Sequence, residues 1–114
     1  MNFVEFEVGG FPLAYDSGSS ILNPKDFRYP LVKKLQKAAK EAMAGKPLLQ
    51  GTIVLEVEHE IFIGDFRTDV VNLVGGIANV LEGIVYSNDN QIKEIHFKQI
   101  LSQRNIYKVR IKEL

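Results

Sequence analysis

Two aspartates stand on either side of one apolar run. Asp69 precedes VVNLVGGIANVLEG, and Asp89 lies in the polar segment Ser87-Asn88-Asp89-Asn90 before the next apolar stretch. Carboxylates are the hard oxygen ligands that Mg²⁺ takes, and an ion held by one or two of them can activate water against a phosphodiester. Folding that brings Asp69 and Asp89 to one point beside a helix N-terminus would assemble such a site. Each residue also has an ordinary structural use. Asp69 can cap a helix, worth ~1 kcal/mol, and Asp89 can simply stabilise a turn. Without a single cysteine the chain can form neither a disulfide framework nor a thiolate metal site.

Cations are distributed unevenly around these acids. The 114 residues carry no net charge, yet 23–46 hold +5 and 93–114 hold +4, whereas 47–92 hold −6 and 1–22 hold −3. An acidic centre between two basic segments suits an enzyme that binds a metal ion and grips phosphates on either side. Lys33, Lys37 and Lys40 recur at helical spacing, and Lys108, Arg110 and Lys112 at strand spacing. Either row could track a phosphate backbone; either could be an ordinary wet face.

The elements that must position these residues follow from periodicity. Val4, Phe6 and Val8 alternate with Phe3, Glu5 and Glu7, which predicts a half-buried strand over 2–8 ended by Gly9-Gly10. A long loop rich in Gly, Ser, Asp and Pro should then run to Pro30. Pro30 opens a helix to Ala44 with an apolar stripe of Leu31, Leu35, Ala38, Ala39, Ala42 and Met43, opposite the lysines. The span 52–63 reads as a second strand with Ile53, Leu55, Val57, His59 and Ile61 inward, so His59 is expected as a core histidine with a hydrogen-bond partner. A second helix over 69–82 contains Gly75-Gly76, unfavourable by ~1 kcal/mol per glycine relative to alanine, and stops at Gly83. Strands over 91–100 and 105–112 are expected to pair as a hairpin about Ser102-Gln103-Arg104, with Glu94 and His96 sharing a face as a surface ion pair. The predicted class is α/β (α+β): a mixed sheet with two main helices in the order strand-helix-strand-helix-strand-strand, as one domain over 1–114. No apolar run reaches the ~20 residues needed to span a bilayer, so no membrane contact and a cytoplasmic setting are expected.

The pattern Asp69-x-x-Asn72-Leu73, then Leu81-x-Gly83-Ile84-Val85-Tyr86, then Asp89-x-Gln91-Ile92 and Glu94-x-His96, resembles the RusA family of Holliday-junction resolvases. The order of the remaining elements is similar too, so the resemblance covers most of the chain. It implies a RusA-like fold, a homodimer, Mg²⁺, branched DNA as substrate, and Asp69 and Asp89 as catalytic metal ligands. Lys33, Lys37 and Lys40, with Lys108, Arg110 and Lys112, would then meet phosphates. The chain departs from the family at four positions: Val71 and Gly75 stand where the family has an aspartate and a lysine, and Asn79 and Asn88 replace acids. Asp65 is the nearest replacement for the missing carboxylate, and Arg67 or Lys98 for the missing cation. An alternative implication is a RusA-like protein that binds junctions, or a protein partner, without cutting.

Overall fold

The computed structural model describes residues 3–12, 22–62 and 70–114. Among these the order is β1 (Phe3–Gly9), α1 (Tyr29–Ala42), β2 (Ile53–Phe62), α2 (Val70–Leu81), a short 3₁₀ turn (Asp89–Gln91), β3 (Ile92–Ser102) and β4 (Ile106–Glu113). The expected order of strands and helices holds, with boundaries within about two residues.

The four strands form one mixed sheet in the order β1-β4-β2-β3. β4 lies antiparallel to both β1 and β2, and β3 lies parallel to β2. The expected hairpin between the last two strands is therefore corrected: β3 and β4 flank β2 on opposite sides. The reason is α2. A strand, a helix and a strand in succession make a parallel crossover, which returns the chain to the start of β2 before β3 begins. β4 then takes the other edge of β2, where Val57 faces Val109 and Leu55 faces Ile111.

One sheet face carries the core. Val4, Phe6 and Val8 of β1, Tyr107, Val109 and Ile111 of β4, and Ile53, Leu55, Val57 and Ile61 of β2 are all buried. α1 covers this face with Val32, Leu35 and Ala39, and Met43 follows it; Leu35 is buried as expected, whereas Val32 is fully enclosed and Leu31, expected in the stripe, is only partly buried. α2 adds Leu73, Val74, Ile77, Val80 and Leu81 and packs beside α1. Gly76 is buried within it, consistent with close packing as the compensation for two mid-helix glycines. Gly83 adopts φ +84°, the left-handed conformation expected after a helix end.

β3 is an edge strand, and it is only half covered. Ile95 and Leu101 stay about half exposed although their partners Leu55 and Ile61 are buried. His59 is fully buried, as its spacing demands. Its Nδ1 lies 3.4 Å from the Gln99 amide, and the ring meets Phe11 edge-on at 5.0 Å. Its Nε2 has no hydrogen-bond partner among the described residues, and burial lowers its pKa.

Candidate functional site

Asp89 opens the 3₁₀ turn, and a network of backbone contacts fixes where that turn sits. Asn88 caps it, its side chain accepting from Asn90 N at 2.8 Å. The Gln91 side-chain Oε1 accepts from Ser87 N and Asn88 N, while its side-chain Nε2 donates to Leu49 O at 3.1 Å and Gly51 O at 2.9 Å. Gln91 thus ties the turn to the segment that feeds β2. Tyr86, buried beneath, donates its hydroxyl to Ala78 O at 2.6 Å, so the turn is also tied to α2.

The backbone N–H of Asp89 donates to the Glu82 carboxylate at 2.8 Å. Glu82 follows the last residue of α2, so Asp89 lies at the C-terminal end of that helix rather than beside its N-terminus. Two exposed carboxylates therefore share the negative end of a helix dipole, and the last helical turn contains no basic residue. Both charges reach the buried Tyr86, whose pKa is raised first by burial and then by Asp89 and Glu82. No ion pair reaches either carboxylate among the described residues. Carboxylates are the ligands that a hard cation takes, although among the described residues no third acid or histidine joins these two. Glu82 was not recognised from the sequence. Its signal is an acid just ahead of a helix-ending glycine, where a base is the favourable choice.

Asp69, Asp65 and Arg67 lie outside the described residues. Val70, which follows Asp69 in the chain, opens α2, whereas Asp89 lies beyond its far end. Twelve helical residues span about 18 Å. Val71, at the position of the family's second aspartate, is 78% exposed.

The lysines of α1 form an open row. Lys33, Lys37 and Lys40 are exposed, and no ion pair reaches them among the described residues. The Lys33 ammonium lies 5.7 Å from the centre of the Tyr29 ring, and Lys34 turns aside toward Gly9 O at 3.4 Å. The turn ahead of the helix is rigid. Asp26 takes a bidentate contact from Arg28, at 2.9 Å from Nε and 2.8 Å from Nη2, and also accepts from Arg28 N. Those bonds hold the Asp26 carboxyl down to about 2. Arg28 is buried, and its guanidinium lies 5.2 Å from the centre of the Phe27 ring.

The basic row of β4 has different surroundings. On the outer face of the sheet Lys108 stands between Glu7 and Glu58, and Arg110 between Glu5 and Glu56. Lys108 Nζ lies 3.7 Å and Arg110 Nε 3.8 Å from the Glu5 carboxylate, and Lys112 Nζ lies 3.2 Å from Glu56. Across this face runs a groove of about 670 Å³ that also reaches His96 and Lys98. Glu94 and His96 pair at 2.9 Å on the surface, and Glu60 is held by Arg104 and Ser102. Cation and carboxylate thus alternate along the groove, in contrast to the bare lysines of α1.

Two comparisons with known proteins bear on this arrangement. The family model described as endodeoxyribonuclease RusA matches residues 26–112 of the 114. No curated protein matches the chain.

Proposed function

Because this chain belongs to the RusA family of endodeoxyribonucleases, we propose that it cuts four-way DNA junctions by Mg²⁺-dependent hydrolysis, acting as a homodimer. The observation that carries the reading is Asp89, at a position where the family motif places an acid, held by its backbone N–H against the Glu82 carboxylate at the end of α2. Asp89 and Glu82 would hold the ion from one side and Asp69 from the other. When bound, Mg²⁺ supplies a polarised water and neutralises charge on the scissile phosphate. Glu82 holds the Asp89 backbone in place, and Gln91 keeps the whole turn on the sheet.

The length of α2 adds a condition. Metal–oxygen distances of about 2.1 Å cannot bridge the ~18 Å of helix that separates the neighbour of Asp69 from Asp89. We take an ion bound by both aspartates to lie between two protomers, each lending one carboxylate. An isologous pairing along the edge of β3, which no other strand of the described residues occupies, meets that need, because two-fold symmetry runs the paired strands antiparallel. Such a pairing also runs α2 of one protomer opposite in direction to α2 of its partner. Half-exposed Ile95 and Leu101 on that edge give the pairing apolar area to bury.

DNA would lie along Lys33, Lys37 and Lys40, exposed cations that no ion pair reaches among the described residues. Lys108, Arg110 and Lys112 would contribute less, each being near a glutamate. The second reading, a binder that does not cut, draws on Val71 and Gly75. With an exposed valine and a glycine there, the α2 end offers neither the second aspartate nor the lysine of the family.

Gel assays of labelled four-way junction with and without Mg²⁺ test the proposal. Paired symmetric nicks that vanish in Asp89→Asn support it; a shifted but uncut junction selects the second reading. The double change Val71→Asp, Gly75→Lys should then create cleavage, since Val71 is open to solvent and accepts a charge without burying it.

A further inference from the structure

Phe27 is the most exposed large apolar side chain among the described residues, at 88%. Nothing in the core uses its ring. Yet the backbone that presents it is a closely hydrogen-bonded turn. Asn23 accepts from Lys25 N at 3.0 Å through its side chain and from Asp26 N at 2.9 Å through its carbonyl. Asp26 and Arg28, the two neighbours of Phe27, clamp each other, and Arg28 O accepts the first amides of α1. A surface loop that merely tolerated an exposed phenylalanine would not need this rigidity.

The surroundings indicate the ligand. Arg28 lies near the Phe27 ring, Lys25 is two residues before it, and the aromatic–cation arrangement recurs one turn on in Tyr29 and Lys33. Lys37 and Lys40, both exposed, follow along α1. An exposed aromatic ring at the head of a helix that carries exposed lysines matches a nucleobase attached to its own phosphate: the ring stacks on the base and exposed lysines such as Lys25 and Lys33 meet the backbone, while Arg28, buried and paired with Asp26, only supports the ring. In a continuous duplex the bases are already stacked on one another. At a branch point stacking is interrupted, and a base can leave it at low cost.

We infer that Phe27 is a base-stacking contact that gives the lysine face of α1 its preference for branched over continuous DNA. The inference rests on the DNA-binding reading above, and it assigns discrimination to Phe27 and affinity to the lysines.

The test measures binding in EDTA, where no cleavage intervenes, using a four-way junction and a linear duplex of equal length at two salt concentrations. Proteins compared are wild type, Phe27→Ala, Phe27→Trp, and Lys37→Ala with Lys40→Ala. Phe27→Ala should weaken junction binding about tenfold, the scale of one lost base–aromatic stack. Duplex binding and the salt dependence should not change, and Phe27→Trp should restore the preference. The double lysine variant should weaken both substrates and flatten the salt dependence. An unchanged junction-to-duplex ratio in Phe27→Ala, alongside losses in the lysine variant, overturns the inference and leaves the DNA reading standing. Absence of binding to either substrate by wild type overturns both. Because the ring is exposed, unaltered thermal melting of Phe27→Ala separates lost recognition from lost folding.

Discussion

Gln91→Ala should dismantle the turn that carries Asp89. The side chain makes four hydrogen bonds: two accepted from Ser87 and Asn88, two donated to Leu49 and Gly51. The accepted pair is exposed, so water replaces much of it, and ~0.5 kcal/mol for each is appropriate. The bond to Leu49 is half-buried, and both donated bonds tie chain segments about 40 residues apart; ~1 kcal/mol for each is the corresponding figure. The sum is about 3 kcal/mol, which for a domain of this size lowers Tm by roughly 12 °C. Differential scanning calorimetry reads this directly. Gln91→Glu separates the halves, because its oxygen still accepts from Ser87 and Asn88 while a second, negative oxygen faces two carbonyls. It should be at least as destabilising as half of Gln91→Ala. A fall below about 3 °C for Gln91→Ala would mean that the turn is held by something else, and the argument that Gln91 positions Asp89 would fail.

The remaining predictions are shorter. His59 is buried and its pKa lowered, so the neutral ring is the form the fold prefers. Its contribution is present above the unfolded pKa of about 6.5 and is lost as pH falls below that value; urea melts at pH 7.5 and 5.5 should diverge in wild type and converge in His59→Leu. Leu101→Lys with Ile95→Lys should give a monomer by analytical ultracentrifugation and abolish Mg²⁺-dependent cleavage while keeping native circular dichroism. Each of Lys37→Ala and Lys40→Ala should reduce the slope of log affinity against log salt by about 1, whereas Lys108→Ala should move it less because Glu5 and Glu58 stand beside it.

The periodic parts of this fold were legible from residue order. β1, β2 and β4 alternate apolar and polar side chains, and each buries the face its sequence specifies. β3 does not alternate cleanly: Ile92, Ile95, Phe97, Ile100 and Leu101 fall on both faces, because an edge strand half covered by helices has no single dry side. Proximity to β4 in the chain then suggested a hairpin, although the helix between β2 and β3 carries the contrary signal of a parallel crossover. The same crossover decides the site. Residue type suggests Asp69 and Asp89 as oxygen ligands, but α2 places Asp89 beyond its own C-terminal end. The contribution of Glu82 depends on a backbone bond to Asp89 that spacing alone does not predict. The β4 cations were visible as a basic row, while their glutamate neighbours come from β1 and β2 and depend on strand register.

The shared metal site is the centre of this account, and mixing variants tests it most directly. Asp69→Asn and Asp89→Asn would each be assayed alone on labelled four-way junction with Mg²⁺, then unfolded, mixed and refolded together, with wild type in parallel. If each site takes one aspartate from each protomer, a mixed dimer holds one site lacking both aspartates and one site that is whole. The account predicts no cleavage by either variant alone and single-strand nicking by the mixture. An active wild type beside a mixture as inert as its parents would contradict it, because both aspartates would then serve within one chain.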